Sequence, residues 1–248
     1  MINITGLFPA DKCISYYKLS PDLKSLIDED RFKNEMAFLD PSDGVLYGPY
    51  GIKKAICSNT GFLNAIVKIP FVFSVFIFLY KIIAYNRYVI LLPKEAALEC
   101  DCGPDKEKKY RNFYFAILSV LNLLLIAAAL NISGLEGGWF WINLLIFPLL
   151  YIITLGSYKI MYPNTYHFDL RQHSITSLFY AFIAGVLIEW SISLLVKQYD
   201  LIPVFLIASG IVFFLIYRGR VRFLQLKQTF VYLALLFIFL IPLLLLLF

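Results

Sequence analysis

Long uninterrupted apolar runs fill the second half of this chain, whereas short apolar patches broken by charges fill the first. Four stretches carry no charged residue, 113–132, 139–157, 201–217 and 228–248, and a fifth, 174–196, carries one, Glu189. A bilayer-spanning helix needs about 20 apolar residues at a rise of about 1.5 Å each. The pattern therefore predicts five transmembrane helices over these ranges.

The apolar run 66–84 is different. Lys68 and Pro70 on one side and Lys81 on the other leave only Phe71 to Tyr80 free of charge. Ten residues rise about 15 Å, half a bilayer. This stretch is read as part of a buried or interfacial helix over 62–90 rather than as a span.

Upstream, the periodicity predicts a small α+β domain. Ser20 and Pro21 suit the N-cap and first position of a helix within Lys18 to Lys33, with Leu23, Leu26 and Ile27 at helical spacing. Two short apolar runs on either side of Asp43-Gly44 then predict a β-hairpin over 35–47, followed by helices over Gly48 to Cys57 and 62–90. The fold expected is a mainly α membrane protein. Its five transmembrane helices (113–248) follow a small cytosolic α+β domain (1–112).

Composition supports that class. Of the 248 residues, 60% are hydrophobic and 16% charged, against about 45–50% and about 25% in soluble domains. The net charge of +5 is modest, and its basic residues cluster beside the apolar segments. They read as contacts to anionic headgroups, with the lipid bilayer as partner, rather than as a nucleic-acid surface.

Their distribution also gives a direction. Lys106, Lys108, Lys109 and Arg111 precede the first span, Lys159 and Arg171 lie between the second and third, and Arg218, Arg220, Arg222 and Lys227 between the fourth and fifth. The alternate linkers hold no basic residue or only Lys197. By the positive-inside rule this predicts a bacterial inner-membrane protein, N-terminus cytoplasmic and C-terminus outside, with Trp139 and Trp141 in the outer aromatic belt. The first residues lack the basic start and apolar run of a signal peptide.

The hairpin and the helix after it carry a resemblance. Asp43-Gly44-Val-Leu-Tyr-Gly48, an apolar helix ending Tyr80-Lys-Ile-Ile-Ala84, and Asn86-Arg87-Tyr88 resemble the second half of the DCC family of thiol-disulfide oxidoreductases. The similarity covers about residues 18–90. It implies a partial thioredoxin-like domain, thiol-disulfide exchange, a protein thiol as partner and no bound cofactor. The family's Asp-x-x-Cys-x-x-Cys centre is not in this chain: Cys13 has no cysteine three positions away. The 17 residues before the first helix are too few for the missing strand and active-site helix. Further sequence upstream of Met1 is the favoured expectation, since half a sheet leaves an exposed edge; loss of the redox half is the alternative.

Few residues carry chemistry. Cys100-Asp-Cys102 is the one close cysteine pair; it could serve as a dithiol, though its short spacing and cytosolic setting favour a linker. Glu189 sits mid-span, where a carboxylate costs at least about 2.5 kcal/mol. It could bind a cation or proton, or simply hydrogen-bond Asn122, Asn143 or Ser191 on the helices. His167, Asp169 and His173 are expected in a solvated loop 158–173, and Arg218-Gly-Arg220-Val-Arg222 at the headgroups. No metal-ligand pattern, nucleotide loop or intramembrane histidine is present. Two functions remain open: a membrane-anchored thiol-disulfide oxidoreductase, or a non-enzymatic protein binding a lipid, small molecule or partner around Glu189.

Overall fold

The computed structural model describes residues 19–40, 42–59, 61–91, 107–134, 137–161, 166–195 and 201–242. The chain forms two units, Met1–Arg111 and Asn112–Phe248.

In the first unit, α1 (Pro21–Ser25) starts where sequence chemistry places it: the Ser20 hydroxyl accepts from the Leu23 amide and Pro21 takes the first turn. The helix expected over 18–33 is nonetheless two helices. Asp28 caps a second, α2 (Glu29–Asn34), by accepting from the amides of Asp30 and Arg31. A strong internal N-cap competes with continuation of the preceding helix.

Strands β1 (Ala37–Asp40) and β2 (Gly44–Tyr47) pair antiparallel, with Asp40 opposite Gly44 and Ala37 opposite Tyr47. Gly44 holds φ +73°, a left-handed conformation that side chains resist. Helix α3 (Pro49–Asn59) follows. The helix expected over 62–90 is broken into α4 (Gly61–Val67) and α5 (Pro70–Ile90). Ile69 takes extended angles (φ −69°, ψ 117°), because a proline ring disfavours helical geometry in the residue before it.

The second unit is helical: α6 (Lys108–Ile132), whose first residues belong to the first unit, α7 (Gly137–Met161), α8 (Tyr166–Ser193), α9 (Ile202–Phe223) and α10 (Thr229–Leu235), which runs into a π-helical turn over Leu236–Leu240. Gly134, at φ +72°, ends α6, its amide donating back to the Asn131 carbonyl. The start of α6 meets the start of α8, and the end of α9 meets both the start of α8 and the end of α7. Successive helices therefore alternate in direction.

Among the described residues, five helices are long and apolar enough to cross a membrane: Pro70–Ile90, Lys108–Ile132, Phe140–Ile160, Phe168–Ser193 and Ile202–Phe223. This five is not the five of the sequence. Helix α5 joins it because the helix continues through Lys81 to Ile90, where charge had excluded a span. The expected span 228–248 has a shorter described apolar helix, Thr229–Leu240, and its last residues lie outside the described ones. Helices α8 and α9 also run beyond their apolar stretches 174–196 and 201–217, into segments expected to be loops.

The core of this unit gathers α6 to α10 around Phe182, Phe205, Phe213, Tyr217, Phe230 and Phe239. Helices α8 and α9 pack most closely. At Gly185 a Cβ would run into Ser209 and Phe205, the small-residue approach that lets membrane helices pack tightly.

Candidate functional site

The first turns of α8 contain Asp169, Leu170, Arg171, Gln172, His173, Ser174, Ile175, Thr176 and Ser177 in sequence. A run this polar would face water on an isolated helix. Here Gln172, Ser174, Thr176 and Ser177 are fully buried and His173 is 3% exposed, because α6, α7 and α9 close around this end of α8. Two hydroxyls are satisfied within the helix: Thr176 donates to the Gln172 carbonyl at 2.8 Å and Ser177 to the His173 carbonyl at 2.7 Å.

Side chains of the neighbouring helices also come close to one another here. The hydroxyls of Tyr114 on α6 and Thr176 lie 2.9 Å apart. Tyr217 on α9 donates to Tyr158 on α7 at 3.0 Å, and both are buried. The Ser174 hydroxyl faces Tyr151, Tyr158 and Tyr217. Four helices thus contribute hydroxyls around this end of α8, Tyr114 and Thr176 in one pair and Ser174, Tyr151, Tyr158 and Tyr217 in another group.

Arg220, 3% exposed, approaches His173 with its Nη1 3.2 Å from Nδ1. A guanidinium only donates, so Nδ1 accepts and the imidazole proton sits on Nε2. The ring of Tyr180 lies 5.9 Å from the same guanidinium. Arg171 donates to Asn112 at 2.8 Å and stacks over Phe115 and Phe168.

These positions correct two expectations. His173 and Asp169 belong to a buried helical segment, not to a solvated loop. Arg220 is no headgroup contact. Residues two apart on a helix differ by about 200° and residues four apart by about 40°. Arg218 and Arg222 therefore share the exposed face while Arg220 turns into the bundle. That alternation was readable in Arg-Gly-Arg-Val-Arg once the segment was known to be helical. His167 lies on α8 as well.

The polar residues picked out by sequence do not form one site. Glu189, fully buried near the far end of α8, accepts a hydrogen bond from Ser133, just past α6. Ser191 instead donates to the Leu187 carbonyl. Asn122 donates to the Ile175 carbonyl at 3.3 Å, 14 residues from Glu189 and so about 21 Å away along α8. Asn143 is buried in the early turns of α7.

In the first unit, two of the residues behind the family resemblance, Tyr80 and Arg87, bind the backbone just before the hairpin. The Tyr80 hydroxyl accepts from the Met36 amide at 3.1 Å, and Arg87 donates to the Lys33 carbonyl at 2.8 Å. Asn86, fully buried, donates to the carbonyls of Ile82 (2.7 Å) and Tyr110 (3.4 Å). Gly48 (φ +51°) completes the clasp, since a Cβ there would lie 2.9 Å from the Tyr80 ring. Asp43 meets Lys54 at 2.5 Å beside the turn. The Asp40 carboxyl is held below its ordinary value, first by the Ser42 hydroxyl and then by the Ser42 and Asp43 amides.

Cys57, half-buried on α3, is a free thiol. Cys13, Cys100 and Cys102 lie outside the described residues. Among the described residues, no three acid, histidine or cysteine side chains gather as a metal site. Compared with family models, characterised proteins and solved structures, the chain matches none.

Proposed function

We propose that this chain is a membrane-anchored thiol-disulfide oxidoreductase of the DCC kind, held in a bacterial inner membrane with its first unit in the cytoplasm. The observation that carries the reading is the clasp. Gly48, Tyr80 and Arg87, chosen from sequence alone for the resemblance, meet around the entry to the hairpin, and Asn86 ties the same helix to the Tyr110 carbonyl. Residues unrelated in purpose would have no reason to do so. The short-loop Lys and Arg residues lie at the end where α6 and α8 begin and α7 and α9 end, which supports the orientation.

Helix α5 lies outside the hydrocarbon in this reading, despite its length. Its second half binds backbone groups at Lys33 and Met36 through Tyr80 and Arg87, and a span buried in lipid could not place a hairpin beside those residues. The thiols nearest each other in sequence, Cys100 and Cys102, are the pair this chain offers for the chemistry. The test equilibrates purified protein in glutathione buffers of graded potential and traps free thiols with a mass-tagged maleimide. The expected result is a two-electron transition that disappears in C100S/C102S; a pair that stays reduced at every potential rejects the reading.

A second reading, a non-enzymatic binding protein, is favoured by the buried polar residues of the bundle. Its centre moves from Glu189 to the cluster of Tyr158, Ser174 and Tyr217, where donors from three helices meet. Wild-type thiol chemistry in the maleimide experiment would dismiss it as the main role.

A further inference from the structure

Helix α9 and the α10 segment leave a groove of about 670 Å³ on the outside of the second unit, a volume typical of small-molecule sites. Its walls are Ile207, Ile211 and Phe214 on one side and Tyr232, Leu236 and Leu240 on the other, with Gly210 between them. Every wall residue is apolar except for the Tyr232 hydroxyl. The wall from Leu236 to Leu240 is the π-helical turn, a distortion that recurs at functional sites.

One end of the groove is cationic. The rings of Phe214 and Tyr232 lie 6.3 Å apart at a tilt of 35°, and the Arg218 guanidinium sits 5.7 Å from the Phe214 ring. Ile207, Ile211, Phe214, Arg218 and Arg222 follow one another at spacings of three or four on α9, so the apolar wall continues into exposed arginines. Among the described residues no carboxylate lies within ion-pair distance of Arg218.

We propose that this groove holds an acyl chain of an anionic phospholipid whose phosphate is bound by Arg218. An apolar slot of this size that ends at an exposed guanidinium matches an amphiphile with a negative head and a hydrocarbon tail. Arginine pairs with phosphate through two parallel hydrogen bonds, and the Phe214 ring holds the cation at the mouth. The assignment rests on the membrane reading of the second unit. It is independent of the redox reading and survives if that fails.

The test places a reporter in the slot. Tyr232→Trp is reconstituted into vesicles of phosphatidylcholine with a minor fraction of phosphatidylglycerol, the bromine label being on the chains of one lipid or the other. Fluorescence of the wild-type chain is subtracted for its own tryptophans. One arginine contact near a surface is worth about 1 kcal/mol, so the expected preference for brominated phosphatidylglycerol is about fivefold. It falls to near unity in Tyr232→Trp/Arg218→Gln. Equal quenching by both lipids, or a preference that survives Arg218→Gln, overturns the proposal. So does an unquenched tryptophan, which would mean that protein covers the slot. Native mass spectrometry of the chain with and without Arg218→Gln gives a second readout that needs no reporter: one phosphatidylglycerol retained by the former and none by the latter.

Discussion

Arg220 and His173 are 47 positions apart in sequence, and their side chains meet inside the bundle, Nη1 to Nδ1 at 3.2 Å. The contact ties the last turns of α9 to the first turns of α8. Both residues are about as buried as the leucines around them, so each was desolvated to make it. Taking a cation out of water costs several kcal/mol, and the donor and acceptor geometry offsets part of that cost.

Removing both members of this pair should therefore cost less than the two single removals added together. His173→Leu is expected to lower stability by about 1–3 kcal/mol by withdrawing the acceptor from a buried donor. His173→Leu/Arg220→Met should lose less than the sum of the single changes, since no buried charge remains. Unfolding in mixed detergent micelles measures both, and strict additivity would show that the pair is uncoupled.

Gly185 and Ser209 mark the closest approach of α8 to α9. Gly185→Ala is expected to destabilise the bundle by about 1–3 kcal/mol through overpacking. Ser209→Ala alone should be close to neutral, because its hydroxyl is buried with no hydrogen-bond partner among the described residues. In the Gly185→Ala background it should restore part of the loss by vacating the space that the new methyl needs. Thermal unfolding of the four proteins checks this.

The clasp of the first unit can be tested at one atom. Tyr80→Phe keeps the ring and deletes the acceptor for the Met36 amide. The expected cost is about 1 kcal/mol, with faster hydrogen exchange at Met36 and little change in α3. Unchanged exchange at Met36 would show that the hydroxyl does not secure the hairpin.

Glu189 and Ser133 separate acceptor from charge. Ser133→Ala removes a donor from a buried carboxyl and should cost about 1–3 kcal/mol. Glu189→Gln keeps an oxygen in place and should cost less. If the two substitutions rank the other way, the charge of Glu189 matters more than its hydrogen bond.

The hairpin turn should respond to pH in two places. Asp40 has its folded pKa lowered, chiefly by the Ser42 hydroxyl. Its contribution is complete above the ordinary aspartate value and is lost as pH falls through the folded one. Lys54 is raised, chiefly by its hydrogen bond to Asp43, so its contribution is complete below the ordinary lysine value and lost as pH rises through the folded one. Ser42→Ala should move the Asp40 titration, followed by NMR, back toward the ordinary carboxylate range.

Several of these elements were legible in the chain itself. Ser20-Pro21 starts a helix and Asp43-Gly44 turns a hairpin because capping and left-handed turns are decided by one or two residues acting on adjacent backbone. Apolar helices follow equally directly, since a stretch of about 20 residues without charge has few other places to go. Helix ends were less legible. Polar turns that prolong α8 and α9 look like loops until a neighbouring helix covers them, and the internal cap at Asp28 and the break at Pro70 depend on local competition between two plausible structures.

What only the tertiary structure decided is which polar residues face inward. Sequence determined that Glu189 sits in an apolar stretch and that the basic residues gather beside the helices. It could not show that Glu189 meets Ser133, that Arg220 turns away from Arg218 toward His173, or that Tyr158 and Tyr217 share a hydrogen bond. Helical periodicity defines faces but not the partner each face meets, and burial of a polar group is set by side chains far away in sequence. The clasp shows both sides: Tyr80 and Arg87 could be named from the chain, but their contacts with the backbone at Met36 and Lys33 exist only in the fold.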